Sequence, residues 1–167
     1  MKFGMGFSTD GASGSAETLF VSDHFGKGLA KIDTDSLTLT TVGAYTGQLA
    51  GVSSELTGTG DGKLYGFFTT LPNSTIAQID KKTGGILSMN TLANTPARSA
   101  WAFSFYAGVF YVYTAGDPAS GLPKDSVGSD VTLYDPVANT AKIVKAGIGF
   151  KIVGAGVSTC VPTSPVK

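Results

Sequence analysis

The sequence predicts an all-β fold built from three four-stranded antiparallel units. Three observations carry this reading. Three segments of the chain repeat one another at a nearly constant spacing. Within each, short alternating apolar runs are separated by tight-turn signals. No segment of the chain shows a 3.6-residue apolar period with caps, so little helix is expected.

The elements follow in order. The first repeat is "ETLFVSDHFGKGLAKIDTDSLTLTTVG" (17–43), the second "GKLYGFFTTLPNSTIAQIDKKTGGILSMNTL" (62–92), and the third "GVFYVYTAGDPASGLPKDSVGSDVTLYDPVANTAKIVKAG" (108–147). Each opens on an apolar-aromatic pair: Leu19-Phe20, Leu64-Tyr65, Phe110-Tyr111. Each continues to an apolar-Asp pair: Ile32-Asp33, Ile79-Asp80, Tyr134-Asp135. A turn then leads to a last alternating run. Leu19, Leu64 and Phe110 are 45 and 46 residues apart, whereas Ile79 and Tyr134 are 55 apart because the third copy carries extra residues at 115–130. A further strand-like stretch precedes each copy: "FGMGFSTDG" (3–11), "SSELTGTGDG" (53–62) and "SAWAFSFYAG" (99–108). Asp10-Gly11, Asp61-Gly62 and Ala107-Gly108 supply the hairpins. The units therefore span about 3–45, 53–94 and 99–147, and residues 148–167 lead toward a further unit, since "AGVSTC" (155–160) repeats the start of "AGVSSE" (50–55). The leading strand is small and Gly-rich, as crowded strands are; the last carries Thr and Lys, as solvated edges do. The Asp that ends each third strand is expected to accept turn amides and reverse the chain.

A period of about 40–50 residues made only of strands resembles β-propeller blades. "IAQIDKKTG" (76–84) is similar to the "I-x-x-I-D-x-x-T-G" repeats of NHL-, YncE- and PQQ-like propellers, with "LAKIDTDSL" (29–37) and "VTLYDPVAN" (131–139) as looser copies. The resemblance implies blade architecture over nearly the whole chain. It implies no quinone cofactor, because the tryptophan docking motif is missing, and Trp101-Ala102 is not the Trp-Asp of WD40 repeats. Propellers close with about 4–8 blades. Three blades are thus half of a six-bladed ring, a fragment of a larger one, or an open wedge that covers its edges otherwise. Head-to-tail pairing of two chains would close such a ring as a homodimer, covering Phe7, Phe20 and Ile32 at one end and Val131, Leu133 and Ile143 at the other.

Composition narrows the function classes. Twelve basic and twelve acidic residues cancel, and Arg98 is the only arginine. Such a chain lacks the basic footprint of a nucleic-acid binder. No apolar run approaches the roughly 18–20 residues of a membrane-spanning helix, so no membrane insertion is expected. One cysteine, Cys160, and one histidine, His24, make no zinc site of the usual Cys/His kind. The N-terminus does not read as a signal peptide. Low charge with abundant Ser, Thr and Gly suits a secreted or cell-surface protein whose export signal has been removed.

Candidate binding residues fall in two loops. "SDHFGKG" (22–28) gathers Asp23, His24 and Lys27; the insert at 115–130 breaks the repeat and carries Asp117, Lys124, Asp125 and Asp130. Departures from a repeat are where propeller loops carry function. Asp10, Asp33, Asp35 and Asp61 lack the spaced D-x-D-x-D-G pattern of a calcium loop. Tyr106, Phe110, Tyr111 and Tyr113 read as core at period two, with one or two available to a sugar or peptide. "NST" (73–75) matches a glycosylation sequon. No nucleophile–base constellation, metal site or cofactor site is legible. The expected function is a non-catalytic binding or scaffolding module that assembles into a ring and presents loops to a protein or glycan. The alternatives are a propeller hydrolase or lactonase with a central metal, for which Glu55 is the main inner-strand carboxylate, and a purely structural assembly unit.

Overall fold

A computed structural model describes residues 3–12, 16–96, 100–116 and 128–164. It is all-β: 48% of the described residues are strand and 2% helix, and among them no barrel closes. Three four-stranded antiparallel sheets follow one another along the chain. Sheet 1 is β1 (Phe3–Thr9), β2 (Glu17–Asp23), β3 (Leu29–Ile32) and β4 (Leu39–Gly43). Sheet 2 is β5 (Ser54–Gly58), β6 (Leu64–Phe68), β7 (Thr75–Ile79) and β8 (Ile86–Thr91). Sheet 3 is β9 (Ala100–Tyr106), β10 (Val109–Ala115), β11 (Asp130–Asp135) and β12 (Thr140–Lys145). Each sheet is a meander in which strands pair in chain order. The β9–β10 connection is a two-residue hairpin, with Ala107 and Gly108 both at positive φ between the Tyr106–Val109 pair.

The sheets stack in sequence because period two gives each of them two apolar faces. In sheet 1, Phe20 and Leu29 point at sheet 2, where they join Leu56, Leu64, Phe68, Ala77 and Ile79 in one buried cluster with Tyr45 and Leu49. Phe20 is only 4% exposed. It thus belongs to the sheet 1–sheet 2 interface and not to the free end where the sequence pattern placed it. Its neighbour Leu19 takes the opposite face, as alternation requires. Sheet 2 presents Phe67 and Ile76 to sheet 3, which answers with Phe103, Phe105, Phe110, Val112 and Tyr134. Phe110 sits at the middle of this aromatic set, edge-on to Tyr65 at 4.9 Å and to Phe105 at 5.2 Å. Such contacts add about 0.5–1.5 kcal/mol each beyond burial.

The leading strands β1, β5 and β9 lie innermost. Glycine lets β1 and β5 touch backbone to backbone. A Cβ on Gly6 would lie 2.8 Å from the Leu56 carbonyl oxygen, and one on Gly58 would lie 2.6 Å from Ser8 Cα. This is the physical reason for the Gly-rich composition of the leading strands. At one end of the axis Lys81 reaches across from the β7–β8 turn and donates to the Thr9 carbonyl at 2.6 Å.

The expected turn role of the repeated aspartate is present in all three sheets. Asp33 Oδ1 accepts from the amides of Asp35 (3.1 Å) and Ser36 (2.7 Å). Asp80 Oδ1 does so from Lys82 (2.7 Å) and Thr83 (3.2 Å). Asp135 Oδ1 does so from Val137 (2.8 Å) and Ala138 (3.1 Å). Four residues after each aspartate the chain enters the left-handed region, at Leu37 (φ 56°), Gly84 (φ 76°) and Asn139 (φ 51°). The three turns are therefore one conformation used three times.

After β12 the chain returns to the axis. Ser129 anchors the return, donating its amide to the Phe150 carbonyl at 2.8 Å and accepting from the Ile152 amide at 2.9 Å on Oγ. The chain then descends alongside the inner strands. Val153 lies near Ala100 and Trp101 at one end. At the other end Thr159 donates to Glu17, and the Ala107 amide donates to the Pro162 carbonyl at 2.9 Å.

Candidate functional site: the axial cleft

Where the first residues of β1, β5 and β9 converge, they leave an open cleft of about 500 Å³. Its geometry starts from one buried hydroxyl chain. The Tyr45 hydroxyl and Ser54 Oγ are 2.9 Å apart, and Ser54 Oγ donates to Ser22 Oγ at 2.9 Å. Burial raises the Tyr45 pKa, and the two serine hydroxyls oppose that rise. The chain turns Ser54 toward sheet 1. Period two then turns Glu55, the next residue, to the other side of β5, toward sheet 3. Glu55 lines the cleft together with Trp101, on the strand that begins sheet 3, and with Phe3, Met5, Ser53, His24 and Val153.

Glu55 is the only carboxylate on the three inner strands. Among the described residues no donor reaches it. Desolvation alone pushes its pKa up to about 7, so burial without a partner is the whole of its perturbation.

The loop candidates separate in space. Asp23 ends β2, and its Oδ1 accepts from the amides of Phe25 (2.7 Å) and Lys27 (3.3 Å). Its carboxylate is thus engaged in shaping the loop. Gly26 and Gly28, at φ 74° and 111°, complete the bend. This places His24 on the axial cleft beside Glu55, its ring edge-on to Phe25 at 5.6 Å. Lys27 falls instead beside a smaller recess of about 320 Å³ on the outer face of sheet 1, lined by Phe3, Val21, Ile32 and Leu39. Asp130 is 8% exposed and accepts the Gly147 amide at 2.8 Å, which ties the start of β11 to the end of β12. Asp117, Lys124 and Asp125 lie outside the described residues. The structure therefore places His24 and Glu55 in the lining of one cleft and Lys27 in that of another, with Asp130 in neither.

Other sequence candidates have local partners. Asp10 Oδ1 accepts from Thr18 Oγ1 at 2.6 Å, and Asp61 pairs with Lys63 at 2.6 Å. Among the described residues no group of three or more His, Cys, Asp or Glu side chains is placed to hold a metal ion. Phe110 is core, whereas Tyr106 is 43% exposed. Ser74 of the sequon is fully buried.

A second feature is the outer face of sheet 1. Phe3, Met5 and Phe7 are 42–46% exposed and Leu39 is 59% exposed. Cross-strand pairing places Leu19 and Ile32 on the same face, through Phe7↔Leu19, Leu19↔Ile32 and Ile32↔Leu39. The repeat gives this face its meaning. Leu64 and Ile79 hold the equivalent places in sheet 2, and Phe110 and Tyr134 hold them in sheet 3. All four are at most 2% exposed, covered by the preceding sheet. Leu19 and Ile32 are half-buried.

Comparison with protein-family models and with curated proteins finds no match for this chain.

Proposed function

We propose that the chain is a non-catalytic binding or scaffolding module of the β-propeller kind. In this reading its three sheets are blades and form half of a six-bladed ring, completed by a second copy of the chain. The ring presents its loop ends to a protein or glycan. The observation that carries the reading is the outer face of sheet 1. It repeats a surface that is buried twice within the same chain, yet among the described residues no sheet lies against it. The surface that covers its two equivalents is the opposite face of a four-stranded sheet. In sheet 3 that opposite face carries Tyr111, Tyr113, Val131 and Leu133, all half-buried. Head-to-tail pairing of two chains brings the two faces together and closes with two-fold symmetry. At roughly 25 cal/mol per Å², covering about 400 Å² of apolar surface contributes on the order of 10 kcal/mol per interface before association costs.

A propeller hydrolase needs several carboxylates converging on the axis, and the inner strands supply Glu55 alone. That favours binding over catalysis. Sedimentation at micromolar concentration tests the assembly. The expected mass is that of two chains, and Phe7→Asp combined with Leu39→Asp is expected to return one chain with its β-sheet circular dichroism intact. A wild-type monomer that stays soluble and unassociated would overturn the ring.

A further inference from the structure

The geometry points to the axial cleft as a binding site for an organic ammonium group, with Glu55 as its counter-ion and Trp101 and Phe3 as its aromatic walls. The inference rests on the binding-module reading; every wall of the cleft comes from one chain, and Phe3 and Met5 belong both to it and to the outer face of sheet 1.

Four properties of the cleft select this class of ligand. The first is charge. Glu55 is held half-buried with no donor from the described residues, and a desolvated carboxylate is stabilised most by a cation brought to it. The second is the character of the walls. Phe3, Met5, Trp101 and Val153 surround the carboxylate with apolar and aromatic surface. An ammonium bearing alkyl groups satisfies both parts, pairing with the carboxylate while its alkyl groups rest on the ring faces. The third is the shortage of other polar groups. Ser54, although it lines the cleft, is engaged with Tyr45 and Ser22. That leaves Ser53 and His24 beside Glu55. A sugar ring, with hydroxyls around its whole edge, would leave most of them without partners against these walls. The fourth is size. About 500 Å³ lies within the range of small-molecule sites and suits a compact cation or the end of a lysine side chain.

The ammonium can belong to a free small molecule or to a lysine side chain, and the test separates these sources. Trp101 is the sole tryptophan of the chain, so its fluorescence reports on the cleft directly. The intact protein is titrated at about pH 8 with choline, n-butylammonium, a short acetylated peptide carrying one lysine, and a neutral methyl glycoside. A saturable Trp101 response to choline or n-butylammonium supports the free-amine source. A response to the lysine peptide on the order of ten-fold tighter supports the side-chain source. Dimethylbutanol, the uncharged isostere of choline, is expected to bind on the order of ten-fold more weakly than choline to the wild-type protein. Glu55→Gln is expected to weaken the ammonium ligands by a similar factor. No saturable response to any ammonium ligand overturns the inference. So does equal affinity for choline and dimethylbutanol, or a response to the glycoside alone. The choline comparison uses the wild-type protein and stands even where Glu55→Gln fails to fold. A monomeric protein that still binds choline would refute the ring and leave this site standing.

Discussion

Replacing Leu37 with glycine is expected to stabilise the protein, although it removes a large apolar side chain. Leu37 occupies the left-handed position of the β3–β4 turn at φ 56°. Its counterparts in the other two sheets are Gly84 and Asn139, residue types that tolerate this region. An L-residue with a bulky side chain there costs about 1–2 kcal/mol. Leu37 recovers little of that by packing, because it is 78% exposed. Glycine removes the strain but adds unfolded-chain entropy worth about 0.5–1 kcal/mol. The net gain is then about 0.5–1 kcal/mol, which for a chain of this length raises Tm by roughly 1–4 °C. The reverse change in sheet 2 is the mirror test. Gly84→Leu adds the same strain and also places a Cβ 2.8 Å from the Gly43 carbonyl carbon. Backbone overlap of that kind brings the expected loss to about 2–3 kcal/mol. Asn139→Gly should gain less than Leu37→Gly, since Asn139 Oδ1 accepts from the Tyr134 hydroxyl at 3.0 Å. Urea midpoints with unchanged m-values, checked by calorimetry, measure all three. A lower stability for Leu37→Gly, or a neutral Gly84→Leu, would refute the claim that the three turns share one conformation.

Two further outcomes follow from the inner strands. Gly58→Ala is expected to cost about 2–3 kcal/mol, because its Cβ would overlap the Phe7 carbonyl and Ser8 Cβ, whereas Gly11→Ala, with nothing within 4 Å, should stay within about 0.5 kcal/mol of wild type; paired thermal melts check both. Glu55 is an acid whose folded pKa, about 7, lies above its ordinary 4.5, so the folded state holds the proton more tightly and this group weakens stability as pH rises from the lower value through the upper. Glu55→Gln should therefore melt higher than wild type near pH 8 and with it near pH 4, and a gap that is the same at both would show that burial of the charge is not the cause.

Much of the fold was legible in the sequence because the repeat and the alternation are local. Leu19, Leu64 and Phe110 lie at equivalent places in β2, β6 and β10, and Asp33, Asp80 and Asp135 all accept turn amides. Both features depend only on neighbours within one strand or one turn. Phe20 was misplaced for a different reason. Alternation says that Leu19 and Phe20 face opposite ways, but it does not say which of them meets the next sheet. That is settled by the direction of stacking, which places Phe20 against Leu56 and Phe68 and leaves Leu19 on the outer face. The cleft was legible only in part. Glu55 stood out as the lone inner carboxylate. Its place in one cleft with Trp101 and His24 depends on three separate sheets or loops meeting, and no local pattern encodes that. The phase of β9 was the available signal, since it turns Trp101 back toward sheet 2.

The segment after β12 shows how the same residues serve differently when their partners differ. "AGVSSE" (50–55) leads into β5, and the hairpin at Asp61-Gly62 then supplies β6 as a ladder partner within a few residues. "AGVSTC" (155–160) begins in the same way, but among the described residues no strand pairs with it. An extended segment without a ladder must satisfy its backbone elsewhere or remain in water. Here the satisfaction is piecemeal: the Ile152 amide goes to Ser129, the Cys160 amide to Ser158 Oγ, and the Pro162 carbonyl to the Ala107 amide. These anchors hold the segment parallel to β1, β5 and β9, close enough that a Cβ on Gly60 would strike the Thr159 carbonyl. They also carry Val153 to the axial cleft. The stretch that precedes this lead-in thus supplies, through Val153, one of the residues that line the cleft holding Glu55.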